Sequence, residues 1–243
     1  LFDLIGSGIS WNGTLTSSGS LNAAAGEFDF RLQPIDWKIR NMTFDSTQLF
    51  IAPAGDSLQI DFTSSKFTSN NALFLENLKV QSILAHDSLA SKLSWYNQTS
   101  QADSGFVDLS VYRNDSFLLN AQLNELKVRV ADVTWSSQKK AELHADTAFI
   151  SVNALALEST NGSIRCDGSW SEDLNEHLVF NVADFDLSYI SNFGVFAQHF
   201  EGMFDGQIDM YQKNKSFVAD ANVLVDSLIV DGFEIGTVQG ATA

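Results

Sequence analysis

The stretch 204–236, FDGQIDMYQKNKSFVADANVLVDSLIVDGFEIG, decides how the rest of the chain is read. Ile208 and Met210 alternate with Asp209 and Tyr211, and a polar turn follows over Gln212–Lys215. Phe217, Ala219, Ala221, Val223 and Val225 then recur at every second position. Leu228 and Val230 lead to Asp231-Gly232, after which come Phe233 and Ile235. Side chains of an extended strand point alternately to opposite faces, so this period of two predicts half-buried antiparallel strands. Asp-Gly between two such runs is a hairpin signal, because both turn positions need positive φ. Nothing in the stretch has catalytic chemistry. Its organising feature is a surface, apolar on one side, with Asp220, Asn222 and Asp226 on the other.

The same grammar extends toward the N-terminus. Phe28, Phe30 and Leu32 alternate with Asp29 and Arg31, and Pro34 is expected to end that strand. Trp37–Phe44 and Gln48–Ile51 read as short strands, closed by Pro53-Ala54-Gly55. Leu58, Ile60 and Phe62 alternate, as do Leu73, Leu75, Leu78 and Val80. Gln81–Leu93 has spacing that tolerates a short helix. Leu109 and Val111 belong to a strand. The turn Arg113-Asn114-Asp115 leads into Phe117 and Leu119, with Leu126 and Val128 beyond. Strands are also expected at Phe149–Leu157 and Ser163–Trp170, and over Phe180 and Val182. Asp186–Phe200 is the best helix candidate, with Ile190, Phe193, Ala197 and Phe200 at helical spacing and Asp186 or Ser188 as N-cap. It reads as a plug lying on the sheet. About fifteen strands and at most two short helices make the chain all-β.

Bulk properties bound the function. In 243 residues, 44% are hydrophobic, a composition that supports a folded chain. The formal net charge of −16 repels nucleic acid and anionic membrane surfaces. Cys166 is the single cysteine, so no intrachain disulfide exists, and a packed core thiol is expected of it. No apolar run approaches the ~20 residues of a spanning helix. Both ends read as cut from something longer.

Sites of reaction chemistry do not emerge. His86, His144, His177 and His199 have no zinc-ligand spacing, and His144 with Asp146 reads as an exposed strand face. Asp184-x-Asp186 lacks the further oxygens calcium needs, so Asp186 is better read as a helix cap. No nucleotide-binding or nucleophile-elbow motif occurs. No metal, no cofactor and no enzymatic activity are expected. Six Asn-x-Ser/Thr sequons, at Asn12, Asn41, Asn97, Asn114, Asn161 and Asn214, are read as accidents of composition. Trp37, Trp95, Trp135 and Trp170 could stack on sugars, but suit packing or rim positions better.

Internal repetition points to an array. Asn71-Ala-Leu-Phe-Leu-Glu76 matches Asn153-Ala-Leu-Ala-Leu-Glu158, each between an earlier Trp and a later Ser-Trp pair. The segment from Asp108 then matches that from Gln207. The expected units are a partial 1–36, then 37–134 and 135–243, in one continuous body. A unit with only one apolar face must bury it on neighbours or on a ligand.

The last third carries a family resemblance. Asp186-Leu187-Ser188, Gly202 with Gly206, and Leu228-Val230-Gly232-Ile235-Gly236 stand in the order seen in the TamB branch of the AsmA-like family, which the chain resembles. The resemblance implies an elongated curled β-sheet, a taco-like groove with an apolar interior. It implies a periplasmic location, with anchoring to the inner membrane by a segment outside this sequence. It also implies passage of phospholipid acyl chains toward the outer membrane, or a role in outer-membrane protein assembly with a barrel partner of the TamA (Omp85) type. The residues expected to line the groove are Phe28, Phe30, Leu32, Ile60, Phe62, Leu109, Val111, Phe117, Leu119, Leu126 and Val128. Further along they are Phe180, Val182, Ile208, Met210, Phe217, Ala219, Ala221, Val223, Val225, Leu228 and Val230. A scaffold for nascent barrel strands, and a secreted adhesin or carbohydrate-binding module, remain the alternatives.

Overall fold

The computed structural model describes residues 9–12, 16–22, 27–69, 73–97, 103–113, 119–130, 132–171, 176–189, 198–213 and 216–242. The protein is all-β. Its strands are β1 (Ile9–Asn12), β2 (Thr16–Asn22), β3 (Glu27–Ile39), β4 (Met42–Ala54), β5 (Ser57–Ser69), β6 (Leu73–Ala85), β7 (Ser88–Tyr96), β8 (Ser104–Tyr112) and β9 (Leu119–Val130). They continue with β10 (Val133–Ser137), β11 (Ala141–Ala145), β12 (Phe149–Ser159), β13 (Gly162–Ser171), β14 (His177–Asp186), β15 (Phe200–Lys213), β16 (Ser216–Val230) and β17 (Phe233–Ala241). The chain forms two compact units, residues 1–107 and 108–243.

Within the first unit, β2 to β7 form an antiparallel meander, and β1 adds to β3. Within the second, β12 to β17 form another, and β9 pairs with β10 and β11. The turns are tight. Ile39 pairs with Met42, Ala54 with Ser57, Ala85 with Ser88 and Val230 with Phe233, each pair spanning a two-residue loop. Asp231 (φ 50°) and Gly232 (φ 81°) both take the left-handed backbone that the Asp-Gly signal requires. Arg40 (φ 55°) and His86 (φ 48°) do the same without glycine.

Several sequence expectations give way here. Trp37–Phe44 is not one strand, because the Arg40-Asn41 turn divides it between β3 and β4. Pro34 does not end β3, which runs on to Ile39; the ladder slips on either side of Ile35, so the missing N–H falls at an irregularity. Gln81–Leu93 is a hairpin of β6 and β7, since the cross-strand ladder overrides a spacing that suited a helix. Phe200 opens β15 and belongs to no helix. Ser188 and Tyr189 are the only helical residues among those described, and positions 190–197 lie outside them. Among the described residues, no helix is long and apolar enough to cross a membrane.

A device not visible in the sequence recurs through both units. Alternate strands carry a non-glycine residue at positive φ inside the strand: Ser46 in β4, Asn77 in β6, Ala154 in β12, Asp184 in β14 and Ser227 in β16. The ladder slips by one residue around the last three, which marks β-bulges. Three of these five amides are held by a neighbouring strand's aspartate. The Ser46 N–H donates to Asp36 Oδ1 (2.9 Å), that of Ala154 to Asp167 Oδ1 (2.7 Å), and that of Asp184 to Asp205 Oδ1 (2.9 Å). An unpaired amide in a half-buried sheet costs about 1–3 kcal/mol, so these carboxylates hold the bulges in place. Part of the net negative charge is therefore structural.

Candidate functional site: the apolar faces

In the first unit the register sorts side chains cleanly. Leu32, Leu49, Phe62, Val80 and Leu93 stand opposite one another across β3 to β7. The next row is Phe30, Ile51, Ile60, Ser82 and Ser91, in which the two serine hydroxyls take each other at 2.8 Å. Phe28 stands opposite Leu21 on the same face. Beyond the Ser46 bulge, Phe44 meets Phe62 edge-on (5.7 Å) and Phe67 (4.8 Å), so the apolar face continues across the bulge. The reverse face carries the row Arg31, Phe50, Asp61, Gln81, Lys92. There the Arg31 guanidinium lies 5.1 Å from the centre of the Phe50 ring, and Asp61 accepts from Gln59 (2.6 Å).

The second unit follows the same rule. One row is Leu155, Cys166, Phe180, Ile208 and Ala221. Its neighbour is Leu157, Ile164, Val182, Gly206, Val223 and Gly240. A third runs Val152, Gly168, Leu178, Met210 and Ala219, and Leu143 and Ala121 extend it. Past the Asp184 bulge comes Phe185, Phe204, Val225 and Val238. The Phe217–Val225 run thus shares a face with Ile208 and Met210. Asp220 stands opposite Asp209, and Asn222 opposite Gln207, on the reverse side. The Tyr211 hydroxyl donates to Asp220 Oδ2 (2.8 Å) and the Tyr211 ring stacks on His177, itself 2.8 Å from Asp209. Tyr211's hydroxyl is held above its ordinary pKa, first by that bond to Asp220.

The remaining expected groove residues fall as follows. Leu119 pairs with Ala145, and Val128 with Trp135, one alternation from Leu126. Leu109 and Val111 alternate in β8 with Asp108 and Ser110, whose side chains both take the Asn124 amide. After the Ser227 bulge, Leu228 pairs with Gly236, and Val230 with Phe233 and Phe200. Phe117 lies outside the described residues. The groove expected from the sequence left out Leu49, Ile51, Val80, Leu155, Ile164, Leu178, Phe185 and Phe204, which share these faces. Leu49 with Ile51 carried the signal, an alternation adjoining Gln48 and Phe50.

Few side chains of these faces are fully buried among the described residues. Among the described residues only Leu78, Ala121, Val130, Trp135, Ala141, Cys166, Leu178 and Tyr189 are buried apolar residues. Phe217 is 61% exposed and Phe233 73%. Cys166 is 2% exposed, and desolvation by burial, then the Asp167 charge, push its thiol up to about 11. His144 is not on an exposed strand face: it is half-buried, with Nδ1 2.7 Å from the oxygen of fully buried Asn120.

One place on the second face is closed. Trp135, Phe185 and Tyr189 form an aromatic cluster, with ring centres 5.5 Å (Trp135–Phe185), 5.9 Å (Phe185–Tyr189) and 6.4 Å (Trp135–Tyr189) apart. Asp186 Oδ1 accepts the Ser188 N–H (2.9 Å), the N-cap bond expected of it, and the Leu187 N–H reaches the Gly202 carbonyl (2.9 Å). Contact between β10 and β14 across the intervening strands shows that this sheet curls.

No grouping of three or more His, Cys, Asp or Glu able to hold a metal occurs among the described residues. Asn97, in one of the sequons, is buried and its oxygen accepts the Glu76 N–H (2.8 Å). No family model, no curated protein and no solved structure matches the chain.

Proposed function

We propose that this chain is a non-catalytic segment whose apolar faces bind the acyl chains of lipids and let them move from strand to strand. The observation that carries this reading is the set of apolar rows over β12–β17, on which Ile208, Phe217 and Val238 stay exposed among the described residues. A stretch of that kind marks binding.

Two arguments favour an alkyl chain over a polypeptide as occupant. The strand amides are already paired in the ladders, so the interior of each face offers a guest scarcely any hydrogen bonds. A peptide lying there would leave its own backbone groups unsatisfied, at a cost of a few kcal/mol each. An alkyl chain has no such groups, and each methylene removed from water gains about 0.8 kcal/mol. These contacts have no direction, so shifting by one row costs little, as conduction requires. The resemblance to the TamB branch adds phospholipid as the substrate and the periplasm as the setting.

The test is uptake of a fluorescent fatty acid by the delipidated chain. Saturable uptake is expected, reduced at least tenfold by Ile208→Asp with Val225→Asp, which put charge on the face. Absence of uptake by the unsubstituted chain contradicts the proposal.

A further inference from the structure

The row Phe185, Phe204, Val225, Val238 has two unlike ends. At β17 it is open, with Val238 40% exposed. At β14 it runs into the aromatic cluster, where Tyr189 is 6% and Trp135 8% exposed. The backbone leading into Tyr189 is held by the Leu187 N–H bond to the Gly202 carbonyl and the Ser188 N–H bond to Asp186. We propose that Tyr189, backed by Trp135 and Phe185, is a stop that ends the acyl-chain path in the second unit and sets the chain length it holds. This rests on the acyl-chain reading and adds a specificity-determining residue to it.

The geometry gives the stop a length. Three strand spacings separate Phe185 from Val238, roughly 14 Å at about 4.8 Å per strand. That is the extent of about ten to eleven methylenes in an extended chain. The guest would lie across the strands, methyl end against the Trp135 indole, with its polar end toward β17. That end of the row meets water at Val238 itself, while Thr237 and Gln239 point to the reverse face. Longer chains would leave their excess carbons in water.

Trp135 supplies a local readout, isolated as the difference in emission between the unsubstituted chain and Trp135→Phe. Fatty acids brominated at the terminal carbon are expected to quench this component at least threefold more than those brominated beside the carboxylate. Apparent affinity read at Trp135 is expected to rise about fourfold per methylene up to ten to twelve carbons, then level off. In Tyr189→Ala the levelling moves to longer chains, whereas Tyr189→Phe keeps it in place. Equal quenching by the two bromine positions overturns the stop, as does an unmoved plateau in a folded Tyr189→Ala. Should that variant not fold, the bromine comparison in the unsubstituted chain decides alone. Fluorescent fatty acid uptake with no quenching of Trp135 refutes the stop and leaves the acyl-chain reading standing. Uptake of no fatty acid at all refutes the reading itself.

Discussion

Of the eight buried apolar residues among those described, Leu78 alone belongs to residues 1–107, and seven belong to residues 108–243. Yet the two units are built by the same rules: antiparallel meanders, two-residue turns, and bulges inside alternate strands. In the first, Phe44 touches both Phe62 and Phe67 on a face that stays half-exposed. In the second, Trp135, Phe185 and Tyr189 close over part of the face. The contrast separates two jobs that a hydrophobic core usually does together. Strand order and register come from ladders, turns and bulges, and both units have them. Burial of aromatic rings is an addition that the second unit makes locally.

Truncation should therefore cost most where closure occurs. Trp135→Ala is expected to lower unfolding free energy by about 3–4 kcal/mol, as for a large buried ring, measured by denaturant titration. Phe62→Ala, on the open face of the first unit, should cost only about 1–2 kcal/mol, since its ring is half in water already. Equal costs would erase the contrast between the units.

A smaller effect should be common to both. Asp36→Ala and Asp167→Ala each remove the acceptor of a bulge amide, Ser46 in one unit and Ala154 in the other. About 1 kcal/mol is expected in each case, with faster hydrogen exchange at the freed amide. A loss in one unit only would mean that the bulges are not a shared device.

The smallest effect concerns Cys166. In the folded chain it keeps its proton to about 11 against an ordinary value of 9.0. The unfolded chain then loses that proton first, so stability should be flat below pH 9 and fall as pH rises toward 11. Cys166→Ala should remove this component of the alkaline slope. At neutral pH the native thiol should resist alkylation until the second unit unfolds.

Much of this was legible in the sequence. Alternation placed Phe217–Val225 opposite Ile208 and Met210, Asp231-Gly232 made its hairpin, and Asp186 capped its turn. These signals are local, carried by residues a few positions apart. The bulges were hidden because Ala154 and Ser46 have no intrinsic bias toward positive φ. What holds them is a carboxylate 13 and 10 residues away, reached only once the strands pair. Pro34 misled for a related reason, since an irregular ladder tolerates the missing donor. The aromatic cluster was hidden too, because Trp135 and Phe185 meet only through the curl of the sheet. In the stretch matched as a repeat, Ala154 forms a bulge, and its counterparts at positions 71 and 72 lie outside the described residues.

The central claim is that one face of the sheet carries the acyl chain and the other does not. Ala221 and Asn222 are successive residues of β16 on opposite faces, opposite Ile208 and Gln207 respectively. A photo-crosslinking side chain placed at each in turn, in full-length chain incubated with phospholipid vesicles, reads the two faces directly. Mass spectrometry should show a lipid adduct from position 221 and none above background from 222. Equal adducts at both positions, or an adduct only at 222, would contradict the account.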